Sequence, residues 1–143
     1  MAQLTPHNAI QQVLLQYILD YHPYMKENEQ DMIDFIVMRA ENAYQSFLKA
    51  SSEGKNGYEC QQESDNTLFA GLHFSPITYL IEVGMDNFNY EMEKEEAVGV
   101  YKNPKVREIF GNYGEEIEGD PKEHLLIQEL LPYLKHLKGK VND

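Results

Sequence analysis

The sequence predicts an all-α protein, and three observations support this class. Apolar residues recur at three- and four-residue steps over most of the chain, as they do on one face of a helix. Four of the six prolines directly follow a residue suited to capping a helix N-terminus. No stretch alternates between apolar and polar residues as a half-buried strand does. We expect a single compact bundle of about six helices with irregular, non-parallel packing.

Chain length and cysteine content predict the broad class of the protein. A chain of 143 residues most simply forms one helical domain over residues 1–143, with frayed ends at residues 1–4 and 139–143. Cys60 is the single cysteine, so no intramolecular disulfide can form, which fits a reducing compartment. No basic leader precedes an apolar run, and no apolar stretch approaches the roughly 18–20 residues of a membrane span. We therefore expect a soluble, cytoplasmic protein.

The first helix is expected to begin at Thr5-Pro6, because a proline in the first turn loses no hydrogen bond. Its apolar stripe comprises Ile10, Val13, Leu14, Tyr17, Ile18 and Tyr21. His22-Pro23 ends this helix. A second helix is expected from about Asn28 to Ala50. Its inward-facing residues are Met32, Ile36, Ala40, Ala43, Tyr44 and Phe47.

The third and fourth helices are expected on either side of a tight elbow. A turn rich in Ser, Gly and Asn leads to a third, more polar helix over residues 58–72, which Gly71 stops. The fourth helix begins at Ser75-Pro76. Phe74 and Tyr79 have the spacing of a hydrophobic staple across this helix start. The apolar stripe that follows comprises Ile77, Leu80, Ile81, Met85 and Phe88.

The remaining helices follow from the last two proline pairs and the acidic segment before them. Residues 89–102 are acidic and are predicted to be helical. Asn103-Pro104 starts a short helix. Asp120-Pro121 starts the last helix, with a glutamate three residues after the aspartate, as in a capping box. Pro132 is expected to kink or split this helix, because it lacks the N–H that the helix interior requires.

The charge of the chain is strongly negative, with 24 acidic and 12 basic residues and a net charge of −12. Binding to duplex DNA or RNA depends on Lys and Arg meeting phosphates, so we expect no direct nucleic-acid binding. Residues 82–120 carry eleven acids and four bases. The run Glu91, Glu93, Glu95 and Glu96 is either a solvated surface or an acidic interaction face that meets a basic partner.

No catalytic, cofactor-binding or metal-binding constellation stands out. The five histidines form none of the spacings of helical metal sites, and no glycine-rich phosphate loop is present. His73 lies among apolar residues and is most simply a packing histidine, with a pocket at the elbow as the weaker candidate. We therefore expect no cofactor, and the chain reads as a protein without enzymatic activity.

Three segments resemble a family of uncharacterised domains of unknown function. They are Asp34-Phe35-Ile36 with Arg39-Ala40 and Ala43, then Thr67–Ser75, then Leu80–Val83. The resemblance extends from about Gln11 to Leu134, and Gly-Leu-His-Phe-Ser is its most specific part. The acidic run after Phe88 departs from the family pattern. The resemblance implies an all-helical fold and small proteins mainly from Bacteroidetes, often associated with mobile elements. It implies no activity and no site residues.

These observations leave three functional hypotheses. The first is a non-catalytic interaction or regulatory domain with an unidentified protein partner, or a homodimer formed through a tyrosine-bearing helix face. The alternative is an acidic decoy that mimics nucleic acid and occupies a DNA-binding protein. The third is a small-molecule-binding or hydrolytic site near the His73 elbow. No membrane partner is expected.

Overall fold

The computed structural model describes residues 2–141 and the side chains of residues 2–135. Seven α-helices and one 3₁₀ helix form its secondary structure, and no strand occurs in residues 2–141, so the predicted all-α class is confirmed. Met1 and residues 142–143, which belong to the ends predicted to fray, lie outside the described residues. The elements are α1 (Ala9–Tyr21), the 3₁₀ helix (Pro23–Asn28), α2 (Glu29–Ser52), α3 (Gly57–Leu68), α4 (Pro76–Phe88), α5 (Lys94–Tyr101), α6 (Pro104–Gly111) and α7 (Glu123–Val141).

The chain divides into two compact units, unit 1 over residues 1–73 and unit 2 over residues 74–143. In unit 1, α1, the 3₁₀ helix and α3 all contact α2, which is the longest helix. In unit 2, α4 contacts α5 and α7, and α6 contacts the same two helices. The single domain predicted over residues 1–143 stays a prediction.

Unit 1 has an apolar core to which α1, α2, α3 and the segment after α3 contribute. Its buried side chains are Leu14, Ile18, Met32, Ile36, Ala43, Leu68 and Leu72. Burying one large aliphatic side chain contributes about 1.5–3 kcal/mol relative to leaving it exposed. Cys60 is also buried on α3, and its Sγ lies 3.6 Å from the carbonyl oxygen of Lys55.

Unit 2 packs around a cluster of aromatic rings. Phe74 and Tyr79 lie on either side of the α4 start with ring centroids 5.4 Å apart, so the predicted hydrophobic staple is confirmed. Phe110 of α6 contacts both rings, each at 6.0 Å between centroids. Tyr101 at the end of α5 adds a further ring contact to Phe110 at 5.7 Å. These contacts connect the start of α4 to α5 and α6.

Two of the four predicted proline starts are confirmed. Ser75 precedes α4, and its hydroxyl accepts the N–H of Thr78 at 3.1 Å. Asn103 precedes α6, and its side-chain oxygen accepts the N–H of Lys105 at 2.9 Å. In both helices the capping side chain satisfies an N–H that has no partner inside the helix.

The predicted start of α1 at Thr5-Pro6 is wrong. Helix α1 begins at Ala9, because the Asn8 side chain caps it by accepting the N–H of Gln11 at 3.1 Å. The Thr5 N–H instead donates to the side-chain oxygen of Gln11 at 2.6 Å. Asparagine is a stronger N-terminal cap than threonine, which agrees with the start after Asn8.

The predicted start of α7 at Asp120-Pro121 is two residues early. The Asp120 side chain accepts the N–H of Lys122 at 2.8 Å in a turn, and the helix begins at Glu123. Helix α7 then continues through Pro132, so the predicted split at this proline is wrong, and the alternative of a kink there stays a prediction. This turn includes Pro121 and Lys122, the residues with which the helix is predicted to begin, so the helix starts later.

Helix α3 ends at Leu68, four residues before the predicted end. The Nη1 atom of Arg39 on α2 lies 3.2 Å from the carbonyl oxygens of Thr67 and Leu68 and 2.6 Å from that of Ala70. A guanidinium is favourable at this end of a helix, where carbonyl groups lack partners. Gly71 follows with φ +77°, a left-handed conformation that suits glycine and reverses the chain.

The segment between α4 and α5 is not helical, although residues 89–102 are predicted to be. Asn89 adopts φ +50° and ends α4 by donating its N–H to the Met85 carbonyl oxygen at 3.0 Å. Asparagine tolerates this left-handed conformation better than most residues. Met92 is buried, so the short connection is anchored before α5 begins.

Candidate binding groove

An apolar groove with a volume of about 410 Å³ lies on unit 1 among residues of α1, α2 and α3. Its volume falls within the roughly 300–1,000 Å³ of ligand-binding pockets in general. We call it the unit 1 groove. It is lined by Ala9, Ile10, Val13, Tyr44, Phe47, Gln61, Ser64, Asp65 and Leu68.

Side-chain size explains the space at the unit 1 groove. On α3, the buried residues Cys60, Ser64 and Leu68 recur at every fourth position and lie on one face of the helix. Ser64 and Ala9 line the groove with small side chains. Larger residues at these two positions would reduce the space among the three helices. The groove thus forms among three helices without any long loop.

Apolar side chains at the groove remain open to solvent. Val13 is 53% exposed and Tyr44 is 48% exposed, although the sequence predicts both on core-facing stripes. That prediction is wrong because the apolar stripes of α1 and α2 are wider than the surface that neighbouring helices cover. Exposed apolar surface next to a concave site is typical of surfaces that bind other molecules.

Asp65 gives the groove its charge, since it is the charged residue among those that line it. Its carboxylate accepts a hydrogen bond from the Gln61 amide at 2.9 Å. No Lys or Arg pairs with Asp65 among the described residues. Two of the basic residues of unit 1 are engaged elsewhere: Arg39 binds carbonyl oxygens, and the Lys55 ammonium lies 3.3 Å from Glu63. The groove is therefore apolar with a negative edge.

The histidine that packs in the interior of unit 1 is His22 and not His73. His73 is exposed, so the packing role predicted for it is wrong. His22 is 1% exposed, and its Nε2 donates to the carbonyl oxygen of Leu72 at 2.8 Å. Its Nδ1 then accepts from the Tyr24 hydroxyl at 2.9 Å in the neutral ring. The Tyr17 hydroxyl donates to the same Leu72 oxygen at 3.1 Å. An exposed His73 gives no support to a ligand or hydrolytic site at the elbow.

The four glutamates of the predicted acidic face differ in their surroundings. Glu91 and Glu93 precede α5 and are exposed, as is Glu95 in its first turn. Glu96 is only half-exposed, and both of its carboxylate oxygens accept from the Tyr90 hydroxyl, at 2.7 and 2.9 Å. Glu96 thus holds the connection before α5 in place. An interaction role for this face stays a prediction.

A carboxylate cluster in unit 2 is absent from the sequence prediction. The buried Tyr79 hydroxyl donates to Glu123 at 2.7 Å, and this bond lowers the pKa of Glu123. Burial, followed by the bond to Glu123, raises the pKa of Tyr79. Burial also raises the pKa of Glu82, and the charges of Glu118 and Asp86 raise it further. The cluster brings together residues that are distant in the chain.

A second cavity, of about 650 Å³, lies on unit 2 and has both polar and apolar surface. Its lining residues are Asn112, Tyr113, Gly114, Glu115, Glu116, Ile117, Asp120, Lys122 and Glu129. The Tyr113 hydroxyl donates to Glu129 within it.

In the part of the chain that the structure describes, no three His, Cys, Asp or Glu side chains are grouped so that they could hold a metal ion. Nor is any described helix long and apolar enough to span a bilayer.

Comparison with known proteins relates this chain to a solved structure and to a family. The chain is similar to protein PG0816 from Porphyromonas gingivalis, whose crystal structure matches with a TM-score of 0.75 and 25% identity. The match covers 92% of this chain and 89% of that chain. No curated protein matches the sequence. A domain of unknown function, DUF1896, matches residues 9–134, which include all the segments that carry the resemblance. The chain therefore belongs to the DUF1896 family.

Proposed function

We propose that the protein is a non-catalytic protein-interaction domain and that the unit 1 groove is its binding surface. The observation that carries this proposal is the combination of an apolar groove with exposed apolar side chains along it. Val13 and Tyr44 leave about half of their surface in water, at 53% and 48% exposed. Covering such surface is favourable by about 25 cal/mol per Å². A partner that fills the groove would therefore gain binding energy from residues already in position.

The dimensions of the groove favour a helical segment of a partner protein over a small molecule. Its α3 lining runs from Gln61 to Leu68, about two turns or roughly 10 Å at 1.5 Å per residue. A helix lying in a groove of this length presents two or three apolar anchors at three- and four-residue spacing. Small-molecule sites, in contrast, enclose most of their ligand. The exposed Val13 and Tyr44 are better suited to a helix of a partner protein that lies along the surface.

The other hypotheses have less support. A second copy of the chain is a weaker occupant, because both copies carry a net charge of −12 and repel each other. The nucleic-acid decoy stays a prediction, since no contact favours it and the Glu96 carboxylate is engaged by Tyr90. We also propose a cytoplasmic location, supported by the single cysteine of the chain, Cys60.

The experiment is a binding selection. A displayed library of amphipathic helical peptides is selected for binding to the full-length chain. Val13→Gln puts a polar amide at the groove. The control is Met38→Gln, which also replaces an exposed apolar side chain by glutamine. Met38 is 58% exposed and is not among the residues lining the groove. We expect Val13→Gln to weaken binding of selected helices about tenfold and Met38→Gln to change it less than twofold. Circular dichroism checks that both variants keep their helices.

Two results would contradict the proposal. One is a selection that yields no binding helix. The other is a set of helices whose affinity falls equally in the two variants, because binding would then not depend on the groove. Sedimentation analysis of the same samples detects a homodimer, and a dimer disrupted by Val13→Gln would assign the groove to self-association instead.

A further inference from the structure

We propose that the partner segment is a cationic amphipathic helix, with a Lys or Arg beside its apolar anchors that pairs with Asp65. This inference rests on the proposed function of the unit 1 groove. It specifies the chemistry of the partner, which an apolar surface alone does not. It also assigns to Asp65 the role of selecting among apolar helices.

Asp65 is the charged lining residue, and it accepts a hydrogen bond only from a neutral amide, that of Gln61 at 2.9 Å, among the described contacts. Residues 1–73 as a whole carry ten acidic and four basic side chains. A basic segment is therefore attracted to unit 1 before it reaches the groove, and attraction of this kind raises association rates.

Covering the groove changes the surroundings of Asp65. A bound helix removes water from the carboxylate, and a buried charge without a partner is costly. A helix with a neutral or acidic residue opposite Asp65 leaves this cost uncompensated. A helix with Lys or Arg at that position offsets it with a charge-assisted hydrogen bond. The groove thus discriminates among helices that have the same apolar anchors.

The position of the cation on the partner follows from the spacing of the α3 residues that line the groove. Asp65 and Leu68 are three residues apart on α3, so they lie next to each other on the same face. A side chain that pairs with Asp65 is therefore adjacent to the apolar anchor that contacts Leu68. The basic residue is expected three or four positions from an anchor, on the flank of the apolar stripe.

The test uses the displayed helix library with its flanking positions randomised among Lys, Arg, Gln and Glu. We expect Lys and Arg to be enriched beside one anchor. In a selected peptide, exchange of that cation for Gln should weaken binding about threefold and exchange for Glu about tenfold. Both losses should shrink in 0.5 M NaCl, because salt screens the interaction. The chain contains no tryptophan, so a tryptophan placed in the peptide reports binding by fluorescence without background.

A matched pair of variants identifies the carboxylate. Asp65→Asn should remove the preference for a cation while binding through the apolar anchors persists. Asp34→Asn is the control, because Asp34 is also exposed on a helix and also accepts from a glutamine four residues earlier at 2.9 Å. Asp34 is not among the residues lining the groove, so its replacement makes the same change in net charge and in a glutamine contact away from the groove.

Three outcomes overturn the inference, and they are distinguishable from failure of the proposed function. Helices that depend on Val13 but show no enrichment of Lys or Arg would retain the interaction role and refute the cationic partner. Loss of the preference in both Asp65→Asn and Asp34→Asn would show general attraction instead of a contact at Asp65. Binding that is independent of Val13 would refute the proposed function and this inference together.

Discussion

The carbonyl oxygen of Leu72 accepts two side-chain hydrogen bonds, from Tyr17 and His22, and this explains why a histidine is buried in unit 1. Tyr17 lies on α1, and His22 is the residue that caps its C-terminal end. They fix the segment after α3 against α1 by binding its main chain. The side chain of Leu72 is buried in the core at the same time. His22 thus stabilises the fold through its buried ring and its hydrogen bond to the Leu72 carbonyl oxygen.

Replacing His22 should destabilise the protein strongly. His22→Ala removes a buried ring and leaves the Leu72 carbonyl with one donor fewer, so the free energy of unfolding should fall by about 2–4 kcal/mol. The matched control is His73→Ala, because His73 is exposed, and it should change this quantity by less than about 0.5 kcal/mol. Urea unfolding followed by circular dichroism measures both. Equal effects of the two substitutions would refute the assignment.

The carboxylate of Glu82 is held in an unfavourable environment at neutral pH. Burial and the nearby charges of Glu118 and Asp86 raise its pKa, so the folded state binds a proton more tightly than the unfolded state does. Stability therefore falls as pH rises from the unfolded pKa through the folded pKa. The full cost is present at neutral pH, and none is present below the unfolded pKa.

Glu82→Gln should therefore stabilise the protein at pH 7. The gain expected from removing one like charge is a few tenths of a kcal/mol, as for like-charge pairs on helices. It should disappear at about pH 3.5, below the unfolded pKa of a glutamate near 4.3. Urea titrations at the two pH values provide the measurement. Glu91→Gln, at an exposed residue outside the cluster, is the control. A gain that is independent of pH would contradict the electrostatic cause.

Helix ends show which parts of the elements can be predicted from sequence. Ser75 and Asn103 cap α4 and α6 through hydrogen bonds to residues two or three positions away, so local sequence is sufficient to predict them. The end of α3 depends instead on Arg39, which lies about thirty residues earlier in the chain. No local pattern contains that contact.

The candidate site is harder to predict than the elements, because it also depends on contacts between residues that are distant in the chain. The apolar stripe of α1 is visible in the sequence, and Val13 belongs to it. Whether Val13 is covered depends on how closely α1 approaches its neighbours, which the small side chains of Ala9 and Ser64 influence. The packing role predicted for His73 is wrong because its side chain is exposed, although its neighbours in sequence are apolar. A stripe with more apolar residues than one face can bury is the signal that could have indicated the groove.

One substitution at two glycines should have opposite effects on stability. Gly99 lies inside α5, and an added Cβ meets nothing within 4 Å. Gly99→Ala should therefore stabilise the protein by about 0.5–1 kcal/mol, because alanine favours the helix. Gly114 has equal space but adopts φ +75°. Gly114→Ala should destabilise by about 1–2 kcal/mol. Thermal and urea unfolding measure both changes in stability. Effects of the same sign would show that the positive φ of Gly114 does not determine the effect of the substitution.

On the scale of the whole molecule, the two units have their own buried cores and equal charge. Residues 1–73 carry ten acids and four bases, and residues 74–143 carry fourteen acids and eight bases, so each half has a formal net charge of −6. The negative charge is thus shared between the units. Self-repulsion of this kind keeps a protein soluble and opposes compaction, and salt weakens it.

The single domain predicted from sequence requires a single unfolding transition. His22→Ala changes unit 1, and Tyr79→Phe removes a buried hydroxyl of unit 2 at a cost of about 1 kcal/mol. Both variants should shift one and the same transition in a calorimetric scan of the full chain. Two transitions, each displaced by only one of the variants, would refute the prediction of a single domain.

The burial of Cys60 has a practical consequence for the groove. This thiol is 2% exposed and is the single cysteine of the chain, so a thiol reagent reacts only when unit 1 opens at α3. The labelling rate, compared with that of a free thiol, then measures the free energy of opening in water. Cys60 lies one turn before Ser64, so a helix bound in the groove should slow the reaction in proportion to its occupancy. The protein thus carries a native reporter of its own ligand.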